Sequence, residues 1–89
     1  MEITGEKDFK EVRQQCNKWR KKFPMFTHDV NKLEHTIEYH IQQYSIALVH
    51  YRQTKQRRYV ELAEQELKNI ENVVNNAEKV MLMAILSRR

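Results

Sequence analysis

From Thr27 to Arg89 the chain contains neither glycine nor proline; its single glycine is Gly5 and its single proline is Pro24. Without these two punctuating residues, and with many Gln, Glu, Lys, Arg, Leu, Ala and Met, the stretch is made of good helix formers. Whatever the chain folds into must therefore be organised around long helices, with its breaks near the start and at Pro24.

The apolar spacing divides the chain. Residues 1–5 read as a short tail ending at Gly5. A first helix is expected over 6–22, where Phe9, Val12, Cys16, Trp19 and Phe23 recur at intervals of 3, 4, 3 and 4, a single seam on a helix. Its early acids (Glu6, Asp8, Glu11) and late bases (Lys18, Arg20, Lys21, Lys22) complement the helix dipole. Pro24 ends it, because the ring removes a donor and pushes Phe23 out of helical geometry. An apolar connector follows over 23–28, expected to pack beneath the helices, with Thr27 or Asp29 capping the next helix.

The second helix is expected over 29–53, with a seam of Val30, Leu33, Ile37, Ile41, Tyr44, Leu48 and Tyr51. The third, over 57–87, carries the cleanest heptad: Val60, Ala63, Leu67, Ile70, Val74, Ala77, Met81 and Ala84, at alternating intervals of 3 and 4. Between them runs Arg52-Gln53-Thr54-Lys55-Gln56-Arg57-Arg58, which has no apolar residue. Its composition is helical, but its registry argues for a break. Continuing the heptad of Val30, Ile37, Tyr44 and Tyr51 lands on Arg58, Gln65, Asn72 and Lys79, all polar. At ~100° per residue the two seams miss each other by about 80° on a straight helix. Folding the third segment back near Gln53–Gln56 turns both seams inward. The alternative is one long helix with differently facing halves, which requires partner chains.

The expected fold is all-α: a long antiparallel helical hairpin with a shorter N-terminal helix, coiled-coil-like and assembled into a homodimer or larger oligomer. Small size argues for assembly, since 89 residues bury a modest core. So does Val80–Leu86, apolar on every side, which one hairpin seam cannot cover. The interface is expected on Val60, Ala63, Leu67, Ile70, Val74, Ala77, Met81 and Ala84, with Leu82 and Ile85 beside them.

Catalytic and metal chemistry find no support. His35 and His40 stand five apart, about 140° round a helix, so they do not share an ion. The spacing of H-E-x-x-H is absent, as is Glu-x-x-His. One glycine leaves no phosphate-cradling loop. Cys16 reads as a small core residue. The chain is therefore expected to be non-enzymatic, with no cofactor, no metal and no small-molecule substrate. Lack of a signal peptide, a single cysteine and no apolar run long enough for a bilayer point to a cytoplasmic protein without a membrane partner.

Two functions remain. The first is a protein-interaction or oligomerisation module whose partner is itself or another helical protein. The second is a small nucleic-acid-binding accessory protein. A net charge of +4 permits that, and so do two basic clusters. One is Lys18, Arg20, Lys21 and Lys22. The other is Arg52, Lys55, Arg57 and Arg58, bracketed by Tyr51 and Tyr59, where cations meet phosphates and Tyr59 stacks on a base. Acids beyond the second cluster (Glu61, Glu64, Glu66, Glu71, Glu78) break up the basic surface and favour the first reading.

Overall fold

The computed structural model describes residues 2–87 and contains three α-helices: α1 (Glu6–Lys22), α2 (Thr27–Thr54) and α3 (Arg57–Ser87). Asp8 anchors the start of α1 by accepting bonds from the Thr4 backbone N–H (2.7 Å) and the Thr4 hydroxyl (2.8 Å). These bonds hold its carboxyl below the usual range. They also fix the segment expected as a loose tail. Ile3 is buried in the main core, because the tethered Thr4 folds an apolar side chain back instead of leaving it in water. Met1 lies outside the described residues. Gly5 is fully extended, so its conformational freedom is not used.

At the other end, the Phe23 N–H donates to the Trp19 carbonyl at 2.7 Å, and Phe23 leaves helical geometry at φ −127°, ψ 65°. Pro24 then opens a 3₁₀ turn, Pro24–Phe26. The expected connector over 23–28 is thus shorter: Thr27 and His28 already belong to α2. The expected side-chain cap is also absent at this junction. The 3₁₀ turn feeds its aligned backbone straight into α2, and the Thr27 hydroxyl donates backwards to the Pro24 carbonyl at 2.8 Å. Phe23 is buried and Phe26 packs on the core, but Met25 at the turn's tip is exposed.

α2 ends at Thr54, one residue past the expected limit. Lys55 takes the left-handed conformation (φ 57°, ψ 21°) and its N–H closes on the Tyr51 carbonyl at 2.7 Å. This is the left-handed helix stop that glycine usually makes. The Gln56 carbonyl then accepts from the Tyr59 N–H at 3.2 Å, starting α3. The chain folds back here: the His50 and Tyr59 rings stack at 5.1 Å near the turn, and His40 Nδ1 lies 2.6 Å from Glu66 Oε2 halfway along. At the far end Val30 and Leu33 lie with Ala77 and Val80. Arg58, Gln65, Asn72 and Lys79, the positions where a single continued seam would have fallen, are all exposed.

α1 runs opposite to α2 and covers only the half of the hairpin away from the turn. Phe9 meets Tyr44 edge-on at 5.2 Å. Arg13 grips Glu38 with two bonds of 2.6 and 3.0 Å, and Arg20 reaches Glu34 at 2.8 Å and Asn31 at 2.9 Å. Phe9, Val12, Cys16 and Trp19 drop into one core with Val30, Ile37, Ile70 and Val74. Each fully buried aliphatic side chain stabilises the fold by roughly 1.5–3 kcal/mol. The molecule is a rod of 54 × 18 × 17 Å.

Candidate interaction surface

α1 occupies one side of the α2–α3 pair, and the opposite side is uncovered. A groove of ≈ 420 Å³ opens there. Asp29, Val30, Leu33 and Thr36 form its α2 wall; Val73, Asn76, Ala77, Val80 and Met81 form its α3 wall. At ~100° per residue, the rows that these walls belong to run much of the helix length. On α3 the row is Leu62, Glu66, Asn69, Val73, Asn76, Val80 and Met83. On α2 it continues through His40, Gln43, Ala47 and His50. The charged members are Asp29 and Glu66, and Glu66 is already bonded to His40. Val80 is 64% exposed, Met83 69% and Leu62 53%, so apolar area lies open along this face.

Of the residues expected to meet a partner, Ala77 and Met81 line this groove; most of the others turn into the chain's own core. Ala63, Ile70, Val74 and Met81 are buried within the chain's own core. Val60, Leu67, Ala77, Ala84 and Ile85 are half-buried. The cleanest heptad on α3 is thus occupied by α2 and α1, since the fold-back satisfies it internally. Leu82 is exposed and borders a smaller cleft with Lys18, Trp19, Lys22 and Glu78. α1 covers one side of Val80–Leu86 and leaves Val80, Leu82, Met83 and Leu86 open. The groove residues Val73 and Asn76 were missed in the sequence because asparagines interrupt their row, although Val80 stood out within the all-round apolar Val80–Leu86. The signal was a second 3–4 repeat, one position before the main seam.

The two basic clusters do not form one surface. Arg20 belongs to the end where it binds Asn31, whereas Arg52 stands at the turn; 21 residues of α2 at ~1.5 Å each separate these levels by about 32 Å. Arg20 is also committed, to Glu34, Asn31 and Asn17. Lys18, Lys21 and Lys22 are exposed, and Lys22 lies over the Phe23 ring at 5.4 Å. At the turn Arg52, Lys55, Arg57 and Arg58 are all exposed, and the 22 residues 39–60 contain no acid. Arg57 comes within 4.0 Å of Glu61.

The tyrosines are not free platforms. The Tyr59 ring carries His50 at 5.1 Å and the Arg58 guanidinium at 4.8 Å, and Arg58 also donates to its hydroxyl at 2.9 Å. Lys55 lies over Tyr51 at 5.6 Å. Stacking of a base on Tyr59 would therefore have to displace or share the ring with His50 and Arg58.

His35 is exposed, whereas His40 turns inward to Glu66. Among the described residues no three His, Cys, Asp or Glu groups gather to hold a metal ion. Cys16 is buried, and its thiol is pushed up to about 11, first by burial and then by Glu34. No helix among the described residues is long and apolar enough to cross a membrane. Comparisons with family models, curated proteins and solved structures find nothing that matches this chain, so the reading of the groove rests on its own geometry.

Proposed function

We propose that this chain is a non-enzymatic interaction module that associates by helix packing through the uncovered α2–α3 groove. The observation that carries the reading is an open, mostly apolar groove, with Asp29 the one charged residue in its lining, a largely exposed Val80 in its wall, and an exposed Met83 one turn further along the same row. Apolar area gathered on one face marks an interaction surface far better than scattered exposed residues do. A packed helix placed there would bury that area and extend the core. The single buried thiol, Cys16, fits a reducing compartment such as the cytoplasm.

Light scattering tests the reading directly. The protein is expected to run as a dimer or larger at micromolar concentration. Val80→Lys should reduce the mass toward monomer with helix content unchanged, because Val80 is already exposed in the single chain. Glu64→Lys, off the groove, should leave the mass as it was. A monomer at every concentration removes self-association through this face.

A second reading, polyanion binding, rests on the acid-free turn and its four exposed cations. With cations already beside Tyr51 and Tyr59 and His50 stacked on Tyr59, this reading rests on contacts with phosphates, which position a partner without reading sequence.

A further inference from the structure

We infer that the occupant of the groove is a second copy of this chain, laid face to face and end for end, so that two α2–α3 pairs form a four-helix core. The inference rests on the reading of the groove as an interaction surface and names what fills it.

Three observations select this partner and this direction. The first is neutrality. A self-complementary interface sets each patch against its own copy, so any excess charge in it is doubled. Here the carboxylates are Glu66, hydrogen-bonded to His40 at 2.6 Å, and Asp29 at the margin. With the axis beside Asn69 each copy brings one Glu66 near the centre, and each is already bonded to His40 of its own chain, so no carboxylate enters the interior without a partner.

The second is the distribution of charge along the face. Asp29 lies at the end away from the turn, and Arg58 lies at the turn beside Tyr59 and His50. Packing with both turns at one end would bring the exposed Arg52, Lys55, Arg57 and Arg58 of two copies together. End-for-end packing separates them by far more than the ~8 Å over which charges act at physiological salt. It also brings the level of Asp29 opposite Arg58 of the other copy.

The third is size and register. With the twofold axis beside Asn69, the shared length is about 40 Å at ~1.5 Å per residue. With a width of 18 Å, each copy offers roughly 700 Å², near the ~800 Å² per partner of a standard interface. Asn69 then faces its own copy. Its carbonyl oxygen already accepts from Gln65 at 3.1 Å, which leaves its amide free to donate across the axis. A single asparagine within a helical interface fixes register at some cost in stability.

Pulsed spin-label distances between copies test this geometry, with labels on Asn69→Cys, Asn76→Cys and Gln56→Cys made one at a time. Cys16 is protected by burial. Asn69 positions should lie within about 10 Å between backbones, the spacing of packed helices. Asn76 positions should lie about 20 Å apart and Gln56 positions about 40 Å apart, from 7 and 13 residues on either side of the axis at ~1.5 Å each. Three sites keep the test intact if one variant fails to dimerise. A dimer with short Gln56 distances overturns the end-for-end inference and leaves the interaction-module reading standing. A protein that light scattering shows to be monomeric throughout overturns the inference that a second copy fills the groove, and leaves the interaction-module reading to be tested with other helical partners.

Discussion

Replacing Lys55 by glycine and, separately, by alanine measures whether the chain truly turns there. Both variants lose the Lys55 cation over Tyr51, so their difference isolates the backbone. At φ 57°, ψ 21° a Cβ crowds the following carbonyl, a strain of roughly 1–2 kcal/mol that glycine escapes. Glycine's greater freedom in the unfolded chain offsets about 0.4–1 kcal/mol of this. The glycine variant should therefore be the more stable, by about 0.5–1 kcal/mol. Inside a continuous helix the sign reverses, since glycine is then about 1 kcal/mol worse than alanine. The two architectures thus differ by close to 2 kcal/mol in one comparison. Thermal unfolding followed by circular dichroism reads it, at one protein concentration so that association does not move the midpoint. At about 4–8 °C per kcal/mol for a domain of this size, the glycine variant should melt several degrees above the alanine variant. An alanine variant of equal or higher midpoint would refute the turn.

Ile70 is 0% exposed, so Ile70→Ala should cost about 2–5 kcal/mol; equilibrium urea unfolding showing under ~1 kcal/mol would contradict its place in the core. The Arg13–Glu38 pair holds Glu38 below the usual carboxylate range, first through the Arg13 hydrogen bond. A lowered folded pKa stabilises above the unfolded value of ~4.3 and is lost as pH falls through the folded value. Glu38→Gln should accordingly lose at most ~1 kcal/mol at neutral pH, the pair being half-exposed, and converge with the parent in acid. For the turn, joint Arg57→Ala and Arg58→Ala substitution should weaken any polyanion binding alike for all sequences. The salt dependence should become shallower by roughly one unit for each phosphate no longer neutralised, and no binding by the parent at low salt would end that reading.

Much of the fold was legible because each strong signal had one local cause. Phe23 before Pro24 could only end a helix, and Glu6–Lys22 stops there. The clash of registers between Tyr51 and Arg58 demanded a break, which the structure supplies at Lys55 and Gln56. What was illegible depended on interactions between residues distant in sequence or on short-range bonds that no periodicity reveals. Ile3 joins the core only because Asp8 reaches back to Thr4. Tyr59 resembled an open stacking surface until the fold-back brought His50 onto it. The best heptad, through Ile70 and Val74, resembled an interface because sequence periodicity identifies a buried face without saying which chain buries it.

The composition of α3 provides its own control for the groove. Glu61, Glu64, Lys68, Glu71, Glu78 and Lys79 all lie on other faces of the helix, as expected of a surface helix in water. The groove row carries Leu62, Asn69, Val73, Asn76, Val80 and Met83 instead, with Glu66 tied to His40. Both surfaces belong to one helix, so helix propensity does not distinguish them. α1, with 17 residues against the 31 of α3, lies on the far side and does not explain the difference either. A face that only met water would have no reason to exclude charge while keeping valine and methionine at helical spacing. Covering by another packed helix accounts for both features, and the same row of neutral residues then limits the partner to one that brings no unpaired charge into the seam.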